Sequence, residues 1–210
     1  MFRISRYLGV LGGVVVLAAT VHAQKNELAG GLGRTFIPDQ GIKPGSVVLK
    51  NNNISFGNAL TWEINYARHL LGTGFVAVDA EVPVIGNTDE DLASGNGAVP
   101  KTYTSIFVTP SARVRFFAEN ALQLWVSAGG GFGHWTMSNT LMFGGANPGP
   151  KSKNSGVVQG GVGVDLRPWR TFGLRLAARD VYSGALPLNV DTAKAHQHNI
   201  VVTGGLVWSF

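Results

Sequence analysis

The chain has no cysteine among its 210 residues. Disulfide bonds, thiol catalysis and cysteine-ligated zinc are therefore excluded, so packing and polar contacts must stabilise the fold. Charged residues are also scarce, at 14% of the chain, and the formal net charge is only +5. So small an excess of positive charge argues against nucleic acid as a partner.

Helical patterning is missing as well. No segment keeps an apolar period of 3.6 residues, and no repeat of fixed length occurs. Glycine, in contrast, is abundant, with 29 residues spread along the chain. This composition favours short strands and tight turns over helices.

The amino-terminal segment 1–23 has the pattern of a secretory signal peptide. It begins with two arginines, continues with the apolar run Leu8 to Ala19, and ends in small residues. The run is too short for a membrane-spanning helix, which needs roughly 20 apolar residues. We therefore predict cleavage between Ala23 and Gln24, leaving a mature domain at 24–210.

Apolar residues alternate with polar or small ones along most of the mature chain. This period of two predicts eight strands, at 26–36, 54–70, 73–84, 102–117, 121–136, 155–167, 171–183 and 197–210. The connections alternate between short turns and long segments, the long ones at 37–53, 85–101, 138–154 and 184–196. Long strands with alternating connection lengths indicate a transmembrane barrel with four outer loops.

Alternation alone leaves a soluble, lipocalin-like barrel open, because that fold has the same period with its faces reversed. The polar face here carries mostly glycine, alanine, serine and threonine with few charges, which suits a narrow lumen better than a solvated surface. Aromatic residues near strand ends would form two interfacial girdles. We predict Tyr66, Phe116, Trp169, Phe172, Trp208 and Phe210 in the lower girdle and Phe36, Phe56, Tyr103, Trp135 and Tyr182 in the upper.

The last strand carries large apolar side chains at every second position and ends in Leu206, Trp208 and Phe210. This ending resembles the terminal signal of bacterial outer-membrane barrels, and the mature chain resembles the OmpA/OmpX-type small barrel family without its periplasmic peptidoglycan-binding domain. The resemblance implies an eight-stranded antiparallel up-and-down β-barrel in the bacterial outer membrane. It also implies contact with outer-membrane lipid and lipopolysaccharide, and recognition of the terminal strand by the insertion machinery. We expect a monomer.

Eight strands enclose a lumen that side chains can fill. Charged residues on the predicted inner face should pair there, since an unpaired buried charge costs several kcal/mol. The inner-face charges are Glu63, Asp79, Glu81, Arg113, Arg115, Asp165, Arg175 and Arg179. We predict that they close the lumen; a gated conduit in which they exchange partners is the alternative.

The sequence has no strong catalytic pattern, and we predict no enzyme, cofactor or metal site. His134 has a hydroxyl two residues on, at Thr136, and another four on, at Ser138, but no carboxylate nearby to orient it. His196 and His198 lack an evident carboxylate partner for a metal. The sequence favours a structural or adhesion-like surface protein. The alternatives are a narrow channel or carrier for small apolar molecules and, less favoured, a lipid A-modifying enzyme.

Overall fold

The computed structural model describes residues 26–43, 53–57, 59–169 and 171–210. The predicted signal peptide and its cleavage site at Ala23 and Gln24 lie outside these ranges. The described residues form eleven strands: β1 (Asn26–Phe36), β2 (Gln40–Gly41), β3 (Asn53–Phe56), β4 (Leu60–Gly72), β5 (Val76–Ser94), β6 (Thr102–Val108), β7 (Ser111–Phe116), β8 (Leu122–Met137), β9 (Ser152–Leu166), β10 (Phe172–Gly184) and β11 (His196–Ser209). Within them there is no helix long and apolar enough to cross a membrane.

The strands close into a ring of eight antiparallel staves. The order around the ring is β1, β4, β5, the stave formed by β6 and β7, β8, β9, β10 and β11. Strand β11 pairs with β1 in the register Gly31↔Gly205, which closes the sheet and confirms the predicted barrel. Closure pairs the backbone groups of both edges, as a hydrocarbon environment requires.

One stave is interrupted, between β6 and β7, at Thr109 and Pro110. Proline has no amide hydrogen for the ladder, so strand pairing stops there. The backbone partly recovers its bonds, because the Thr109 amide donates to the Pro83 carbonyl at 3.2 Å and the Gly130 amide donates to the Pro110 carbonyl at 3.2 Å. The predicted single strand at 102–117 is therefore two strands in line.

The barrel is apolar outside and polar inside. Large exposed apolar side chains occur on all of its walls, including Leu32, Ile64, Phe132, Val158, Leu176 and Leu206. Charged and amide side chains on the other face are buried. This arrangement is the reverse of a soluble barrel, and it identifies the fold as a transmembrane β-barrel.

Two ends of the barrel differ in their connections. Short turns join β4 to β5, β7 to β8, and β9 to β10, and we call this the turn end. Longer segments join the strands at the opposite, loop end. The second of these is shorter than predicted, since β5 continues to Ser94 and leaves only residues 95–101 between β5 and β6.

The predicted strand at 54–70 is wrong in its first part. The strand ends at Phe56. This short strand, β3, pairs with the extended end of β5, where Ile54 lies opposite Ser94. As a result Ile54 is fully buried and Phe56 packs against the interior, so neither faces lipid.

Two of the aromatic residues predicted for the upper girdle also lie elsewhere. Tyr103 and Trp135 are buried inside the barrel, with 1% and 0% of their surface exposed. Both lie on the inner face of their strands, where burying a large ring is more favourable than leaving it in water. Phe36 and Tyr182 remain on the outside near the loop end.

Candidate functional site

A network of buried charges fills the half of the lumen nearest the turn end. It contains the eight predicted residues and two that the sequence analysis missed, Glu27 and Arg167. The members are Glu27, Glu63, Asp79, Glu81, Asp165, Arg113, Arg115, Arg167, Arg175 and Arg179. Five carboxylates therefore face five guanidinium groups, so the charge network is formally neutral.

Glu27 is the hub of the level nearest the turn end. Its Oε1 accepts from Arg113 Nη1 and from Arg175 Nη2, both at 2.7 Å, and its Oε2 accepts from Arg167. These partners come from β7, from β10 and from the turn that follows β9, and their guanidinium groups converge on one carboxylate. Such charge-assisted bonds are among the strongest in proteins and hold the opposite walls together.

Two further carboxylates complete this level. Asp79 accepts from Arg115 Nε at 2.7 Å and Arg113 Nε at 3.0 Å. Asp165 accepts from Arg175 Nε at 2.7 Å and from its Nη2 at 2.6 Å, a two-pronged contact that fixes the guanidinium plane.

The next level joins Arg179 to Glu63 at 2.9 Å and to Glu81 at 2.7 Å. Trp125 lies between the two levels, with the Arg175 and Arg179 guanidinium carbons 5.4 and 4.9 Å from its ring centroid. The indole therefore covers both cations and fills the lumen where the ion pairs leave space.

A large apolar cluster lies in the loop-end half of the lumen, beside buried polar side chains that include Thr35, Thr61 and Asn87. Inward side chains of the strands meet side chains of the loop-end connections in one buried cluster, the apolar plug: Ile37, Ile42, Ile54, Ile85, Leu92, Val99, Tyr103, Phe107, Trp135, Met137, Val157, Val181, Leu186, Leu188 and Val201. Phe107 and Trp135 pack edge to face, with their centroids 5.5 Å apart. Among the described residues, side chains thus fill both the turn-end half and the loop-end half of the lumen.

The loop-end connections are tied to one another, and we call the described residues 37–43, 53–57, 95–101, 138–151 and 185–195 the loop cap. The first and fourth connections pair at Ile42 and Thr192. The second and third are joined where the Met142 amide donates to the Val99 carbonyl at 3.0 Å. Asn189 Nδ2 donates to the Ala98 carbonyl at 2.9 Å and to Asn147 Oδ1 at 2.8 Å, linking the fourth connection to both.

A bulge in β5 places a carboxylate beneath the loop cap. Asp89 adopts a positive φ of 45°, and the register of β5 against β6 shifts between Asn87 and Glu90. This shift turns Glu90 inward, where Oε2 accepts from the Ala59 amide at 3.3 Å. Glu90 lies on the loop-end side of the apolar belt of the barrel wall. Burial raises the pKa of its carboxyl to about 7.

We predict that Glu90 makes the local stability around Gly57 and Leu92 dependent on pH. With its folded pKa raised, the carboxyl keeps its proton in the folded state while it is ionised in the unfolded segment, so local stability falls as pH rises from about 4.5 to about 7. Amide exchange at Gly57 and Leu92, which donate to the Asp91 and Lys101 carbonyls, should therefore be faster at pH 8 than at pH 5 after correction for intrinsic rates. Glu90→Gln should remove the difference, and an unchanged pH dependence in that variant would contradict this role.

His134 and His198 both have partners that the sequence did not reveal. His134 Nδ1 lies 2.6 Å from Asn154 Oδ1 on the neighbouring strand, and Thr136 Oγ1 lies 3.3 Å from His134 Nε2. His198 Nδ1 lies 2.7 Å from Asp180 Oδ2. No group of three or more acidic or histidine side chains suited to a metal occurs in the part of the chain that the structure describes.

The carboxyl-terminal residues lie on the outer wall at the turn end. Leu206, Trp208 and Phe210 are 63%, 41% and 55% exposed. The rings of Trp208 and Phe210 are 4.7 Å apart, and Phe172 stacks on Trp208 at 6.2 Å. An accessible aromatic strip suits recognition of this strand by the insertion machinery, which stays a prediction.

No established family model and no curated protein matches the sequence. Solved structures do match. The outer-membrane protein OprG from Pseudomonas aeruginosa has a TM-score of 0.57 at 12% identity, covering 90% of this chain and 96% of that chain. Ail, the attachment invasion locus protein of Yersinia pestis, crystallised with the heparin analogue sucrose octasulfate, has a TM-score of 0.51 at 12% identity, covering 89% and 99%. The chain therefore shares the fold of small outer-membrane barrels.

Proposed function

We propose that this protein is a non-conducting barrel of the bacterial outer membrane that acts by surface interaction through its loop cap. The apolar outer wall and the shared fold support the location, with the loop end outside the cell and the turn end in the periplasm. The filled lumen supports the absence of conduction. A flat current trace in a planar bilayer is the expected result, and discrete conductance steps would overturn this part of the proposal.

The observation that carries the proposal is that hydrogen bonds join the connections of the loop cap to one another. Loops that merely close a barrel need no fixed shape, whereas here strand pairing and side-chain bonds connect all four connections. A surface ordered before binding loses little conformational entropy when a partner docks, so it binds more tightly for the same contact area. The loop cap is therefore a preorganised surface to which a partner outside the cell would bind.

Phe143 is the most exposed large apolar side chain of the described residues, at 72%. It stands in the third connection beside Gly144 and Gly145, which have φ angles of +95° and +93° and hold a tight turn. Exposed aromatic residues on rigid turns are frequent anchors of protein interfaces. Charge contributes less to recognition, since the described cap carries both lysines and carboxylates at its surface.

We predict that Phe143→Ala weakens attachment of cells displaying this protein to surfaces. Removing an interface anchor costs more than about 1 kcal/mol, or roughly fivefold in affinity. Attachment should be measured on octyl-coated and heparin-coated beads, with barrel-free cells as the baseline. Leu71→Ala, an exposed apolar change at the turn end, is the matched control. Equal attachment by Phe143→Ala and wild type on both beads would contradict the role of Phe143.

One observation favours a second candidate, a carrier for small apolar molecules. The apolar plug carries one buried polar atom without a hydrogen-bond partner among the described residues, Trp135 Nε1. A small apolar molecule with one polar group could replace plug side chains and bond to this atom if the loop cap opened. Uptake of a small apolar dye by cells with and without the protein separates this function from surface attachment.

A further inference from the structure

Three polar side chains meet on the outer wall near the loop end. His134 and Thr136 are two residues apart on β8, so both point outward, and Asn154 on β9 lies directly opposite His134 in the strand register. Thr136 Oγ1 is 3.3 Å from His134 Nε2, and His134 Nδ1 is 2.6 Å from Asn154 Oδ1. The three residues form one continuous line of hydrogen bonds.

The Asn154 contact suits one tautomer of the imidazole. With Nδ1 donating to Asn154 Oδ1, Nε2 keeps its lone pair and faces the Thr136 hydroxyl. Nε2 can then accept the hydroxyl hydrogen of Thr136. A hydroxyl, an unprotonated imidazole nitrogen and an orienting group in this order are the arrangement that activates an alcohol as a nucleophile.

The surroundings suit a lipid ester. Immediately below His134 on the same wall are Phe132 and Val158, exposed at 55% and 62%, which belong to the lipid-facing belt. Gly156 lies directly opposite Phe132, between Asn154 and Val158 on β9, and a side chain added there would meet nothing closer than 4.0 Å, so the wall is recessed at this point. An acyl chain lying along this recess would place its ester at the boundary where the polar residues begin.

Hydroxyl groups flank the proposed nucleophile. Thr104 on β6 and Ser152 on β9 are the cross-strand neighbours of Thr136, so their side chains stand on the same outward face. Donors at these positions could stabilise the oxyanion of a tetrahedral intermediate. Ser138 has a different task, since its Oγ donates to the Thr140 carbonyl and accepts from the Lys101 amide at the end of the strand.

We propose that Thr136, His134 and Asn154 form the catalytic triad of an acyl-ester hydrolase acting on lipids at the membrane surface. Thr136 Oγ attacks the ester carbonyl carbon while His134 Nε2 takes its proton. The tetrahedral intermediate expels the alcohol, which receives that proton, and leaves an acyl-threonine. Water, deprotonated by Nε2, then attacks the acyl group, releasing a fatty acid and restoring the Thr136 hydroxyl.

The test measures fatty-acid release by the full mature chain, refolded in detergent micelles. The first arm uses phosphatidylethanolamine and the second uses purified lipid A, both analysed by mass spectrometry, because either lipid can present the ester. Thr136→Val and His134→Gln should each lower the rate by at least about 100-fold. His198→Gln, a histidine elsewhere on the loop-end rim, should leave it unchanged.

Asn154 is argued to act through His134, so it is a positioning residue with a test of its own. Asn154→Leu should reduce acyl release, whereas Asn154→Asp, which also accepts from Nδ1, should restore it. Mass spectrometry of a stopped reaction should find the acyl group on the peptide that contains Thr136. Release from either lipid with these losses supports the proposal.

No release from either lipid by a preparation that shows the gel mobility of a folded barrel would overturn the proposal. Equal rates in wild type and Thr136→Val would overturn it as well. Neither result depends on attachment through the loop cap, so the surface-interaction function is judged separately.

Discussion

Replacing Glu27 with alanine should destabilise the barrel by about 3–5 kcal/mol, the range found when one partner of a buried ion pair is removed. The carboxylate bonds three guanidinium groups, those of Arg113, Arg167 and Arg175. Without it, four carboxylates face five cations in a lumen where Arg113 is 1% exposed. The three arginines still contact Asp79 or Asp165, but one positive charge of the network is no longer balanced and lies away from bulk water.

The measurement is equilibrium unfolding in urea, with the barrel in lipid bilayers and tryptophan fluorescence as the signal. Glu119→Ala is the matched control, because Glu119 is exposed in the turn between β7 and β8 and should change stability by no more than about 0.5 kcal/mol. If Glu27→Ala unfolded at the same urea concentration as Glu119→Ala, the charge network would not be what holds this half of the barrel.

Glu27 also shows what sequence patterning could and could not reveal. Alternation predicted the ring of strands and placed eight charged residues on the inner face, where they now lie paired. In β1, however, glycines interrupt the apolar face, so the two faces of the strand differ little in polarity. Alternation therefore did not identify Glu27 as an inner-face charge. Its importance comes from three arginines more than 80 residues away, which converge only when the ring closes.

The loop end was harder to predict for a related reason. The bulge at Asp89 reverses which residues of β5 point inward, so alternation counted from Val76 fails beyond Asn87. Ile54 and Phe56 continue the apolar pattern of β4, yet tertiary pairing with β5 removes them from the wall. Likewise, Asn154 is 20 residues from His134, and only the register of β8 against β9 brings them together.

Packing inside the lumen gives the second large effect, at Gly163. A β-carbon added to Gly163 would lie 2.2 Å from Trp125 Cζ2 and 2.6 Å from the Leu176 carbonyl oxygen. The indole cannot move away freely, because it bonds Asp165 through Nε1 and lies against the Arg175 and Arg179 guanidinium groups. We expect Gly163→Val to destabilise the barrel by about 3 kcal/mol, at the upper end for overpacking.

Gly160 on the same strand is the matched control, since a β-carbon there meets nothing within 4 Å and points to the lipid. Gly160→Val should therefore change the unfolding free energy by no more than about 0.5 kcal/mol. Adding Trp125→Ala to Gly163→Val should recover part of the loss, so the two changes should not be additive. Full additivity would mean that the Leu176 backbone, and not the indole, requires glycine at this position. Recovery would instead show that the indole of Trp125, which covers both arginines, determines which residue the neighbouring strand can carry opposite it.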